Sequence, residues 1–483
     1  MSRGAKSNNQ RLLLGLLVAA YALNFVDRSI IASIGQAIKL DMKLTDTQLG
    51  LLGGLYFALL YTVLGIPIAR LAERWSRVNI MSGAIFVWSG FTALCGVASS
   101  YGMLAVFRFG VGVGEAGLSP AAHSLISDTV PPEKRATALS IYSLGVPIGV
   151  MVAAVGGGWL AQHYSWRIAF LVLGLPGALL ALAIRLLIRE PARGAMEPGN
   201  APIAQPPYSL RGDVAETTRV AKAMFANPIL LNMMLGSTVV SFAAYGGGAF
   251  LQPYWSRMFH LGYAEIGLIT GLVGGASQAL GVLLGGFASD RLARHGASVW
   301  YGLVPAIGIA LAYPLIVAVY SAQSWQAAAV LLLFPGILSN TYMGPTYGIV
   351  QNAFPAARRA TAVAVLFFVL NLFALGLGPP LTGLLIDHLG AVHYANPSAN
   401  GMLTALMGTP GADMTTFRHA CPGGVGLITG TRADAACKAA VRLATRQGII
   451  LAYGVGLWAS LHFLCAAIFL RRGMPSIVTA TAT

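Results

Sequence analysis

The chain alternates between long apolar runs and short polar breaks over nearly its whole length. Runs of about 20 residues with few charges are the mark of transmembrane helices. Twelve such spans are predicted, at 12–36, 47–70, 80–99, 103–126, 136–161, 167–189, 228–257, 263–288, 298–320, 325–350, 359–388 and 447–470. The stretch "REPARGAMEPGNAPIAQPPYSLRGDVAETTRVAK" parts six spans from six, and its Pro, Gly and charges mark a linker. The expected organisation is an N-terminal six-helix bundle over 1–190, a linker over 191–226, a C-terminal six-helix bundle over 227–472 and a tail over 473–483. A long loop, 389–446, joins spans eleven and twelve.

Composition agrees with an all-α membrane protein. Hydrophobic residues make up 56% of the chain and charged ones only 10%, against about a quarter charged in soluble proteins. Arg3, Lys6 and Arg11 precede the first run as in a signal peptide. That run is too long for an h-region and no small-residue cleavage site follows it, so it is read as a retained helix. The net charge of +15 raises the question of nucleic acid. Lys and Arg instead cluster in short loops, with no aromatic-interleaved basic patch and no zinc spacing, which argues against nucleic acid and metal. The bias puts both termini and the linker in the cytoplasm of an inner (cell) membrane protein. No GxxxxGK motif is present; neither enzyme activity nor a cofactor is expected.

Four charges fall deep inside spans: Asp27 and Arg28 in span one, Arg108 and Glu115 in span four. A charge at the bilayer centre costs at least about 2.5–3.5 kcal/mol, so such residues pair or serve function. Asp27 falls between Arg108 and Glu115 in depth, and the last two share one helix face. A carboxylate whose surroundings switch between dry and Arg-paired can take up and release a proton. Asp27 and Glu115 are therefore the expected proton-coupling acids. Arg28 and Arg108 are expected in the charge network or on substrate, with Arg108 suited to an anionic headgroup. The alternative is two static salt bridges. His123, further along span four, reads as structural.

The halves repeat. "ARLAERWSR" after span two matches "GFASDRLAR" after span eight, and "PPEKRATA" after span four matches "PAARRATA" after span ten, at nearly one offset. Parallel six-plus-six repeats indicate a transporter of two bundles. These loops resemble the signature of the major facilitator superfamily. The resemblance implies a cytoplasmic gate motif at Glu73, Arg74 and Arg77, repeated at Asp290 and Arg291. Ala69 and Ser76 stand where the signature has Gly. "NFVDRSIIA" and "RFGVGVGEAGLSPAAHSLISDTVPPEKRATALSIYSLGVPIG" resemble the Spinster family, linked to sphingoid lipids and lysolipids, whose bacterial members are thought to be proton-coupled. An Asp-Arg in span one also occurs in organic anion:cation symporters.

In the superfamily fold, spans one, four, seven and ten line a central cavity. That implies cavity-lining roles for Asn24, Tyr245, Asn340, Tyr342 and Tyr347. Gly246–Gly248 are expected to break span seven or admit a close neighbour. The leading expectation is a secondary transporter, proton-coupled and working by alternating access. It would move an amphipathic lipid-like molecule or hydrophobic drug as a monomer among membrane lipids. Proton-coupled uptake of a small organic anion is the alternative, and a non-transporting sensor or scaffold a second. Cys421 and Cys437 fall in the outer loop, an oxidising space where they are expected to form a disulfide. Cys95 and Cys465 lie in spans and read as packing residues.

Overall fold

A computed structural model describes residues 10–72, 75–131, 138, 141–192, 196, 210–295, 298–354, 356–398 and 412–472. Among them every regular element is helical. Eleven helices there are long and apolar enough to cross a membrane. Span four is absent from that set because it is two shorter helices, Tyr101–Glu115 and Leu118–Thr129. Pro120 explains the break: it has no N–H to offer the carbonyl of Ala116, one turn earlier.

The chain separates into two compact units. The first holds 1–38, 56–206 and 262–271; the second holds 39–55, 207–261 and 272–483. Each unit thus contains one short segment from the other half of the sequence.

In the first unit, span four sinks deeply among its neighbours because of its glycines. A Cβ on Gly112 would lie 2.5 Å from the Phe57 carbonyl oxygen, and one on Gly114 would lie 2.6 Å from the Trp88 nitrogen. Small residues let membrane helices approach to backbone contact. Span five does the same to span one, where a Cβ on Gly149 would meet the Ala22 carbonyl at 2.2 Å. Span one is thereby fixed in height and rotation.

The second unit is built around span twelve, a helix running from Arg432 to Arg471. It starts well before 447, inside the expected loop. Thr431 caps it, and Asp434 accepts the N–H groups of Gly426 and Gly430 at 3.0 Å each. The linker's second half is also helical, Leu210–Ala226. Its Val220 and Met224, one turn apart, are buried in the unit's core. Glu216 there pairs with Arg358 at 2.7 Å. Span seven runs through Gly246–Gly248 and breaks only at Phe250. Those glycines admit neighbours, since a Cβ on Gly247 would lie 2.3 Å from the Tyr453 ring. Spans eight and eleven each contain a π-helical turn, Ile269–Gly274 and Leu370–Leu375.

Candidate functional site

The four intramembrane charges meet in the first unit. Arg28 Nε donates to Glu115 Oε2 at 2.7 Å. Arg108 Nη1 donates to the Asp27 backbone carbonyl at 3.0 Å. The Arg28 side chain thus meets the Glu115 carboxylate, while Arg108 meets the backbone of span one at Asp27. Asn24, one turn before Arg28, is buried as well.

Aromatic rings shape the pair. The Arg28 guanidinium lies 4.3 Å from the Tyr61 ring centroid, 5.1 Å from Phe57 and 5.2 Å from Phe25. Arg108 lies 5.5 Å from the same Phe57 ring. Cations over ring faces are attracted by the ring quadrupole, more strongly once desolvated. Phe57 thus contacts both guanidiniums.

Exposure separates the four. Arg108 is 0% exposed, Glu115 1% and Asp27 2%. The Arg28 side chain is 18% exposed. In this structure Arg28 is therefore the more open of the two guanidiniums. Asp27 Oδ1 and Glu115 Oε1 are buried and make no hydrogen bond of normal geometry. Thr92 and Trp88 lie beside the Asp27 carboxylate, and Asn24 beside that of Glu115.

The remaining expected residues are placed as follows. Tyr245 is exposed, and Asn340 Nδ2 donates to the Gly336 carbonyl at 2.8 Å. Tyr347 is half-buried, its ring 5.6 Å from Phe367. Tyr342 is not on a surface. It is 3% exposed, with its hydroxyl 2.8 Å from Ser241 Oγ and its ring 6.2 Å from Phe463. It belongs to the core of the second unit. The His123 ring lies 5.5 Å from Tyr142, edge to face.

Of the gate motif, Glu73 and Arg74 lie outside the described residues. Arg77 is wholly buried and pairs with Asp128 and with Glu190, the latter at 2.7 Å. Burial pushes the Glu190 carboxyl up, but the Val78 N–H, Arg77 and Ser76 outweigh it and hold it below the usual range. Asp290 accepts from the Tyr301 hydroxyl at 2.9 Å and Arg291 is exposed. Cys421 and Cys437 form a disulfide, Cys95 is buried, and Cys465 is exposed.

Sequence reasoning missed a second ionic cluster, in the second unit. Asp46 pairs with Lys39 and Arg257 at 2.7 Å each, and all three are nearly buried. Asp387 caps the helix that starts at Asp46. The signal was the capping sequence "TDTQ": Thr45 Oγ1 accepts the Gln48 N–H and Gln48 Oε1 accepts the Thr45 N–H.

The chain matches the sequence profile of the Major Facilitator Superfamily over residues 17–317 and 233–409. It is 28% identical over 375 residues to an MFS-type efflux pump of Mycolicibacterium smegmatis, covering 78% of this chain and 84% of that protein. It is 27% identical over 382 residues to the cis,cis-muconate transport protein of Acinetobacter baylyi, covering 74% and 85%. Among solved structures it resembles the inward-facing, unoccupied bacterial homolog of the human lysosomal transporter Spinster. The TM-score is 0.82 at 29% identity, covering 97% of this chain and 99% of that one.

Proposed function

Because the chain belongs to the major facilitator superfamily, and is thus a multi-pass membrane transporter of a small molecule, we propose that it is a proton-driven secondary transporter of the inner membrane. It moves an amphipathic, lipid-like molecule or hydrophobic drug by alternating access. Its termini and the 191–226 linker are cytoplasmic, between bundles over 1–190 and 227–472.

The observation that carries this reading is the Arg28–Glu115 pair in its aromatic surround. Arg28 is partly exposed, and its planar guanidinium matches a phosphate or carboxylate headgroup. The flanking Phe25, Phe57 and Tyr61 suit an apolar chain beside that headgroup. A headgroup that takes Arg28 leaves Glu115 buried without its partner, and protonation relieves that cost. Substrate and proton then compete through one guanidinium. Asp27, held beside Arg108, is the second acid available for the proton. In the other half, Tyr245, Asn340 and Tyr347 are the candidate cavity contacts.

The similarity to a muconate transport protein favours one second reading, uptake of a small organic anion. Substrate-dependent proton flux in proteoliposomes decides between them. Lysolipids are expected to drive flux and sugar acids not to; the reverse result supports the second reading. Flux with neither, at any gradient, overturns proton coupling.

A further inference from the structure

Segment 39–55 is held within the second unit, although it comes from the N-terminal half of the sequence. Its attachment is dense. Asp387 Oδ1 accepts the Asp46 N–H at 2.9 Å, and Oδ2 accepts the Thr47 N–H at 2.9 Å and its hydroxyl at 2.6 Å. Asp46 binds Lys39 and Arg257, and Arg257 also donates to Thr445 Oγ1 at 2.6 Å. Backbones touch as well. A Cβ on Gly383 would lie 2.2 Å from the Asp46 carbonyl oxygen, and one on Gly50 would lie 2.3 Å from that of Pro379.

The disulfide module adds a further hold. Cys421 is joined to Cys437, which sits in the long Arg432–Arg471 helix. The turn Pro422–Gly424 follows at once. Gly423 and Gly424 have φ of +70° and +88°, a left-handed conformation that other residues rarely take. This turn lies on the end of span one. A Cβ on Gly423 would be 3.2 Å from Lys43 Cα, and one on Gly424 would be 3.7 Å from Lys39 Nζ. A small, partly open cleft remains between them, lined by Lys39, Lys43, Asp46, Asp387 and Arg418 among others. The residues touching span one are thus within three positions of a covalent link to a rigid helix.

We propose that this disulfide-closed module is a clamp on segment 39–55. It sets how readily the segment leaves Asp387 and Arg257. The inference rests on the alternating cycle proposed above, in which the outer ends of the two sequence halves must part. Outward opening then requires Asp387 to give up the Asp46 and Thr47 amides. With the disulfide intact, the Pro422–Gly424 turn opposes that step. A dithiol reverses the hold: it supplies two electrons and two protons, the S–S bond breaks to two thiols, and the reductant leaves as its own disulfide. The turn then keeps only non-covalent contacts, chiefly Phe417 against the buried cluster around Cys421 and Val441.

Hydrogen–deuterium exchange on the full-length protein tests this without substrate or gradient. The reporter is the set of amides over 44–50, two of which are bonded to Asp387. Dithiothreitol is expected to speed their exchange ~10-fold, as a local opening does, while amides over 77–95 in the first unit stay unchanged. Asp387→Asn is expected to speed the same amides without reductant. Unchanged exchange over 44–50 after both thiols have been shown by alkylation to be reduced overturns the clamp. So does an Asp387→Asn protein with wild-type exchange. The reduction arm uses the wild-type chain, so a misfolded variant cannot mimic the result. Failure of proton-coupled flux would leave this exchange result standing, and the two readings fail separately.

Discussion

The two buried ionic clusters use the same chemistry in different ways. In the first unit, Asp27 and Glu115 each keep a buried carboxylate oxygen outside any hydrogen bond of normal geometry. In the second unit, both oxygens of Asp46 and both of Asp387 are engaged. A saturated buried cluster fixes geometry, because opening it strands several desolvated groups at once. An unsaturated one lies closer in energy to its protonated form, because the charge is not fully compensated. On the function proposed above, the first cluster changes state and the second holds.

The largest expected effect breaks or upholds that contrast directly. Glu115→Gln keeps size and hydrogen bonding but cannot titrate. Proton-driven flux should fall at least ~100-fold, the low end of what a positioned proton-transfer group contributes. Its melting temperature should move by only a few degrees, since Arg28 is partly exposed and keeps its aromatic contacts. Full flux with unchanged pH dependence in both Glu115→Gln and Asp27→Asn would show that neither acid couples protons.

The second cluster should answer in the opposite sense. Asp46→Asn leaves Lys39 and Arg257 buried without their shared partner. Removing one side of a buried pair costs about 3–5 kcal/mol, which should appear as a clear fall in melting temperature. The protein that remains folded should still respond to a proton gradient. A variant that melts like wild type but no longer couples would reverse the roles assigned to the two clusters.

The same contrast explains what the sequence disclosed. Asp27, Arg28, Arg108 and Glu115 interrupt apolar runs, where a charge has no solvent and demands an explanation. Lys39, Asp46, Arg257 and Asp387 stand at the predicted ends of spans one, two, seven and eleven. Hydropathy assigns span ends to water, so their burial was invisible. Span one in fact continues to Met42, and its Lys39 is paired with Asp46. The all-helical, many-span character was legible because it follows from apolar length. Side-chain direction was not. Tyr342 carries the polar hydroxyl expected of a cavity wall, yet Ser241 satisfies it inside the core. Arg108 and Arg28 look alike in sequence, and only the packed structure shows that one is buried and the other partly exposed.

The smallest expected effect concerns a third ion set, which tests whether saturation alone marks a holding cluster. Arg77 is fully buried between Asp128 and Glu190, and Glu190 also accepts the Val78 N–H at 3.0 Å and the Ser76 hydroxyl at 2.7 Å. Glu190 is nevertheless a third exposed, so solvent screens part of its attraction and an exposed pair contributes about 1 kcal/mol at most. Its folded pKa lies below its ordinary value of 4.5. A depressed carboxylate adds stability that is fully present above the unfolded pKa and is lost as pH falls through the folded one. Wild-type protein should therefore lose a small increment of melting temperature on acidification below about pH 4.5. Glu190→Gln should lack that increment at neutral pH and show a flatter acid limb. Its flux at neutral pH should stay near wild type, since Asp128 still holds Arg77. A flux loss comparable to that of Glu115→Gln, with no change in the acid limb, would mean that Glu190 belongs with the residues that change state and that the number of hydrogen bonds does not separate the two kinds of cluster.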